Sequence, residues 1–135
     1  MAGYSGTPLF KKLGIREGSR VRPINAPEDY AQLIAPLPAG VTVSSRLRSA
    51  VDLCHFFVKS AAELRRRLPQ LMKIINQDGC IWVSWPKRAA KVETDVTEDT
   101  IRTVALPLKL VDIKVCAVDD TWSGLKLVIR KEARK

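Results

Sequence analysis

The chain is poor in the residues that usually announce a reaction: it holds one histidine and three cysteines in 135 residues. Cys54, Cys80 and Cys116 stand far apart, whereas a zinc site normally draws on close-spaced ligand pairs, so no metal is expected and buried small apolar groups account for them better. An odd number of cysteines inside apolar runs argues against a disulfide framework and for a reducing compartment. His55 directly follows Cys54; on a strand the two side chains point to opposite faces and form no thiolate pair. A hydrogen-bonded core histidine is expected there. No apolar run approaches the ~18 residues that would span a bilayer, and the first residues lack the basic and apolar regions of a signal peptide. These absences point to a cytoplasmic protein with no membrane partner.

What is present is ordinary in amount and uneven in placement. A chain 46% hydrophobic and 27% charged suits one folded domain, placed at residues 1–131 with a frayed tail at 132–135. The net charge of +9 is concentrated: through Lys91 there are 15 Lys and Arg against 6 Asp and Glu, and from Val92 onward 8 of each. Such asymmetry favours an anionic partner, or else a solvated basic face. Arg46, Arg48, Arg65, Arg66 and Arg67 are the candidates for a nucleic-acid surface.

Local signals outline the elements. Thr7, Pro8 and Gly14 bracket a short helix from Pro8 to Leu13. Arg20 to Asn25 reads as a strand, although Pro23 cannot donate to a ladder and suits an edge or a bulge. A short helix through Ile34, a brief strand Val41 to Val43, and an unbroken apolar strand Leu53 to Val58 follow. Ser60 and Glu63 form a capping box that opens a helix. In that helix Leu64, Leu68, Leu71, Met72 and Ile75 share a face, and Pro69 is expected to kink or divide it. Asp78-Gly79 turns into the strand Cys80 to Trp85. Thr97 caps a further helix limited by Pro107, with Glu98 and Asp99 at its positive end. Two alternating strands, Val111 to Val118 and Gly124 to Arg130, close the chain as an antiparallel hairpin. Strand, helix, strand, helix and hairpin predict an α/β fold: a single Rossmann-like, mainly parallel sheet ending in an antiparallel pair, with helices on both faces.

The motifs Tyr4-Ser-Gly-Thr-Pro-Leu9, Leu13-Gly-Ile15, Asn25-Ala-Pro-Glu28, Trp82-Val-Ser-Trp-Pro-Lys87, Thr94-Asp95, Val115-Cys-Ala-Val-Asp119 and Thr121-Trp-Ser-Gly-Leu125 together resemble a family of short bacterial proteins of unknown function. They cover nearly the whole chain. Pro23 and the stretch Pro107 to Lys109 look like local departures. The order of elements also resembles the sheet of S-adenosylmethionine-dependent methyltransferases, which ends in such a hairpin. That resemblance implies a glycine-rich turn after the first strand and an acid after the second. Here the turn is Asn25-Ala-Pro-Glu-Asp29, and Val43 leads into Ser44-Ser-Arg46. Moreover, only Ser44 to Ala50 separates the second strand from the third, short for a parallel crossover. Ordinary use of that cofactor, or of any other, is therefore not expected.

Ligands of open α/β sheets bind outside the carboxyl ends of the parallel strands. That edge should gather Asn25, Pro27 and Glu28 after the first strand, Lys59 after the third, Ser84, Trp85 and Lys87 after the fourth, and Asp119 with Trp122 in the hairpin turn. Trp85 and Trp122 are expected as stacking walls, Lys59 and Lys87 as partners of an anion, and Asn25 and Ser84 as orienting groups. Tyr4 and Arg88 are further contacts without supporting geometry. The expected function is a ligand-binding or regulatory module for a small anionic ligand. Nucleic-acid binding through the basic face, a protein partner, and a minimal enzyme with an unusual cofactor mode are the alternatives. The acids Glu93, Asp95, Glu98 and Asp99, and the pair Asp119-Asp120, are read as helix-end and turn chemistry.

Overall fold

The structure, a computed structural model, describes residues 6–135; Tyr4 lies outside them. Six strands form one sheet in the order β2-β1-β3-β4-β6-β5, from β1 (Arg20–Ile24), β2 (Thr42–Val43), β3 (Val51–Phe57), β4 (Ile75–Pro86), β5 (Leu110–Ala117) and β6 (Trp122–Ile129). β1 pairs in parallel with β2 and β3, and β3 in parallel with β4. β6 is antiparallel to both β4 and β5, so β5 runs with the parallel strands and only β6 opposes them. The expected α/β sheet with a closing antiparallel pair is what forms.

Helices cover both faces. α3 (Ala61–Met72) and α4 (Glu98–Ala105) pack Leu64, Leu68, Leu71, Ile101 and Ala105 onto Ile24, Cys54, Phe56, Ile81 and Leu127. The short helices α1 (Leu9–Leu13) and α2 (Tyr30–Leu33) bring Leu13 and Tyr30 to Leu53, Phe57 and Trp82 on the other side. Trp82 Nε1 donates to the Leu13 carbonyl at 2.8 Å, which fixes α1 to the middle of the sheet. Gly14, at φ +88°, ends α1 in the left-handed conformation.

Pro23 is accommodated for a definite reason. Ser19 and Val21 accept from Thr42 and Ser44 of the β2 side, so by alternation Pro23 also faces that side. The β2 ladder stops at Val21↔Val43; the missing N–H therefore points where no strand runs. The crossover from β2 to β3 is shorter than a helix allows. Residues 44–50 cross β1 as an irregular loop, and Arg20 and Arg22 donate to its carbonyls in place of helical packing.

Three local expectations change. Pro69 does not divide α3, which runs through it; the carbonyl of Arg65 that loses its donor belongs to an exposed residue, where solvent has access. Asp78-Gly79 is not a turn before β4 but part of a bulge inside it, since Val51↔Ile75 is followed by Leu53↔Cys80. A Cβ on Gly79 would stand 2.9 Å from the Asp52 carbonyl oxygen, which is why the bulge carries glycine. Lys109 takes the left-handed φ of +65° at the turn ending in Leu108, where glycine was expected. Beyond β6, Arg134 Nε donates to the Ile129 carbonyl at 2.9 Å and Ala133 packs on the core.

Candidate functional site

The strand order reverses between β1 and β3, and the chain leaves both strands at the same edge. Asn25 ends β1 at φ +58°, a left-handed conformation that asparagine tolerates better than most residues. Its Nδ2 donates to the Phe57 carbonyl at 3.1 Å and to Glu63 Oε2 at 3.0 Å. Glu63 thus does not complete a capping box. Ser60 Oγ accepts from the Glu63 amide at 3.2 Å, but the carboxylate turns outward to Asn25 and to Arg67, 3.9 Å away.

Around this bridge lies a cleft of about 440 Å³ lined by Asn25, Pro27, Phe57, Lys59, Ser60, Glu63 and Trp122. Trp122 reaches it from the start of β6, its ring standing edge-on to Phe57 at 5.1 Å. The indole is positioned by Asp119, whose Oδ1 accepts from the amides of Thr121 and Trp122 at 2.9 and 2.8 Å. Lys59 is exposed and pairs with no carboxylate among the described residues. Its carbonyl is held by Thr94 Oγ1 at 2.6 Å and the Asp95 amide at 3.3 Å. Asp95 in turn accepts from the Ala61 amide at 2.7 Å, capping α3, and Glu98 and Asp99 pair with Arg102. These acids are structural, as expected.

Four of the expected edge residues, Asn25, Pro27, Lys59 and Trp122, therefore meet in one cleft. Trp85 and Lys87 do not join them. Pro86 stands opposite Trp122 in the antiparallel ladder, so those two share a face and Trp85, one residue earlier, points to the other. Trp85 packs against the α3/α4 core and, with Lys87 and Arg88, lines a separate hollow of about 390 Å³ beside α4. Two facing tryptophan walls do not exist. Glu28 is exposed on the β1–α2 turn outside the lining, and Asp119 serves the turn. Ser84 is wholly buried and its hydroxyl is taken, so it offers a ligand nothing.

The partner of Ser84 is His55. His55 Nε2 lies 2.7 Å from Ser84 Oγ, and Nδ1 lies 2.8 Å from the Tyr30 hydroxyl. The imidazole stacks on Phe57 at 4.2 Å, so this buried chain forms the floor behind the cleft. Burial holds the His55 pKa down to about 3 and pushes the Tyr30 phenol up; the imidazole is neutral and the phenol protonated. Burial likewise raises the Cys54 thiol to about 12 and the Cys80 thiol to about 11, which leaves both unreactive. No cluster of metal-ligating side chains occurs among the described residues, and none of their helices is long and apolar enough to cross a membrane.

Phe57, Ser60 and Glu63 line the cleft although none is among the expected site residues. The signal was available: all three follow or end the strand on the far side of the switch point. A larger hollow of about 550 Å³ opens at the opposite edge, with Arg16, Glu17, Asp52, Asp78 and Lys126 in its lining. Its charges are of both signs, and both Asp52 oxygens are already engaged, by the Arg20 amide and Asn76 Nδ2.

No protein-family model and no curated protein matches this chain; solved structures do. A candidate type 11 methyltransferase from Sulfolobus solfataricus superposes with a TM-score of 0.68 at 11% identity, over 100% of this chain and 97% of that one. A ribosomal protein L11 methylase from Lactobacillus delbrueckii subsp. bulgaricus gives 0.57 at 12% identity over 90% and 74% of the two chains. Trm5b from Pyrococcus abyssi gives 0.52 at 13% identity, over 90% of this chain and 47% of that one. At such identities the likeness is one of fold: this is a methyltransferase-like α/β domain.

That fold implies S-adenosylmethionine, and the residues here do not fit its ordinary seat. The glycine-rich turn that would let a ligand approach backbone is replaced by Asn25, whose side chain spans from β1 to the end of β3 and to α3. The acid expected after β2 is also missing, with Ser44 following Val43 and its amide bonded to the Val21 carbonyl at 3.0 Å.

Proposed function

We propose that the chain is a binding or regulatory module whose edge cleft takes a small anionic ligand bearing a flat ring. The observation that supports this most is the convergence of Asn25, Phe57, Lys59 and Trp122, from three separate segments, at the crevice where the strand order reverses. Trp122, set edge-on against the buried Phe57, offers a ring an aromatic surface. Lys59 offers a phosphate or carboxylate a cation with no internal partner, and the Asn25 side-chain oxygen is an acceptor for a ring N–H or a hydroxyl. Catalysis is not part of this proposal. We also infer, from the motifs that run along it, that the chain is a member of a family of short bacterial proteins of unknown function. Its three free cysteines suit a reducing, cytoplasmic setting.

Tryptophan fluorescence tests the cleft. Titration with a panel of nucleotides, phosphorylated metabolites and S-adenosylmethionine is expected to quench or shift emission for at least one anionic ring compound, and not for S-adenosylmethionine. Trp122→Phe removes the signal, while Lys59→Ala weakens binding about tenfold, the loss of one charge-assisted contact. Silence across the panel, or a response that survives Trp122→Phe unchanged, defeats the proposal.

A further inference from the structure

The excess positive charge has a definite place in the fold. On the α3 side of the sheet β1 presents Arg20, Arg22 and Ile24, and this part is covered by the 44–50 loop rather than by a helix. Arg20 Nε donates to the Ala50 carbonyl at 3.0 Å and its Nη2 to Ser49 at 3.3 Å, while Arg22 Nη1 donates to Leu47 at 3.1 Å. These acceptors are neutral, so both guanidiniums keep their charge unopposed. Arg22 Nε is buried without a partner among the described residues. Arg22 stands beside Cys54 in the ladder; the next residue on that face of β3, Phe56, carries the Arg67 guanidinium 5.8 Å above its ring.

Arg46 and Arg48 flank Leu47 on the loop, and Arg66 adjoins Arg67 on α3. All three are exposed, and no carboxylate pairs with them among the described residues. Among the described residues the one acid that pairs within the group is Glu63, with Arg67. Arg65, expected with the others, sits about 200° round the helix from Arg67 and so lies on the opposite flank.

We infer that this arginine face binds the phosphate backbone of a nucleic-acid strand. Six cations extend from the loop across β1 to the near flank and outer ridge of α3, an elongated array suited to successive phosphates rather than to one small anion. All are arginines, whose planar fork matches phosphate oxygens in pairs. Three of them, Arg20, Arg22 and Arg67, are already held in place by carbonyls or by Phe56, which lowers the ordering cost of binding. The face touches the edge cleft only through the Glu63–Arg67 pair, and Arg46 and Arg48 take no part in the cleft lining, so either proposal can fail without the other.

The test is fluorescence anisotropy of the full chain with a labelled single-stranded RNA and, in a second arm, a duplex DNA. Engagement of four phosphates predicts an affinity that falls about fifty-fold between about 50 and 200 mM salt for the single strand. Arg46→Ala/Arg48→Ala removes two exposed side chains that hold nothing in the fold, and should shrink that fall to about sevenfold. Lys131→Ala, exposed beyond β6, should leave it unchanged. Tighter binding in either arm supports the inference and names the source of the phosphates. It is overturned by absence of binding to both at low salt, by affinity indifferent to salt, by a double variant equal to the parent, or by a poly-glutamate peptide that binds as tightly as the oligonucleotides.

Discussion

The two faces of the sheet are built by different means. Under α3 and α4 the core is almost wholly aliphatic, with Leu64, Leu68, Ile81, Ile101 and Leu127 closely packed. Under α1 and α2, helices of five and four residues, the aliphatic groups Leu13, Ile34 and Leu53 are joined by Tyr30, His55, Phe57, Trp82 and Ser84, which are linked by hydrogen bonds and ring contacts. A helix of one turn buries little area, so that face depends on directional interactions to stay in place. The edge cleft opens on that second face. Groups held by direction rather than by bulk form a rigid floor while leaving room at the rim.

The contrast can be broken from either side. The largest effect is expected from Leu68→Ala, wholly buried under α3, which should cost about 3–4 kcal/mol by lost burial and the cavity left behind. Chemical denaturation measures it, and binding of a ligand at the cleft should survive in the folded fraction. On the other face His55→Leu should cost about 2–3 kcal/mol, because it leaves the Tyr30 and Ser84 hydroxyls buried and unpaired. Adding Tyr30→Phe and Ser84→Ala should recover most of that loss, which no cavity explanation allows.

The same histidine makes the second face sensitive to acid. The unfolded chain protonates His55 near its usual pKa of 6.5, whereas the folded chain keeps it neutral down to about 3, so protons bind preferentially to the unfolded state. Stability is full above about 6.5 and declines as pH falls below it, by up to about 1.4 kcal/mol per unit. His55→Leu should flatten the stability profile between about pH 6 and 4; an unchanged slope would place the acid sensitivity elsewhere.

Much of this architecture was legible because it rests on short-range chemistry. Ser60 and Thr97 cap α3 and α4 as their side chains dictate, and the short connection between β5 and β6 allows a hairpin but no helical crossover. Pro23 was rightly marked as incompatible with full pairing on both sides, though only the two-residue length of β2 shows how it is tolerated. Glu63 was less legible: its position predicts a capping box, and Asn25, distant in sequence, draws its carboxylate away.

The amino-acid sequence by itself determined the class of the fold, the edge at which the loops gather, and the internal, hydrogen-bonded character of its histidine, because periodicity, capping and proline chemistry act over a few residues. Only the tertiary structure decided that Trp122 enters the cleft while Trp85 turns away, that Asn25 closes the crevice between β1 and β3, and that Arg22, Arg46, Arg48 and Arg67 form one face. Those outcomes depend on register and on strand order. A shift of a single residue in pairing reverses the face a side chain occupies, and no local pattern in the chain specifies it.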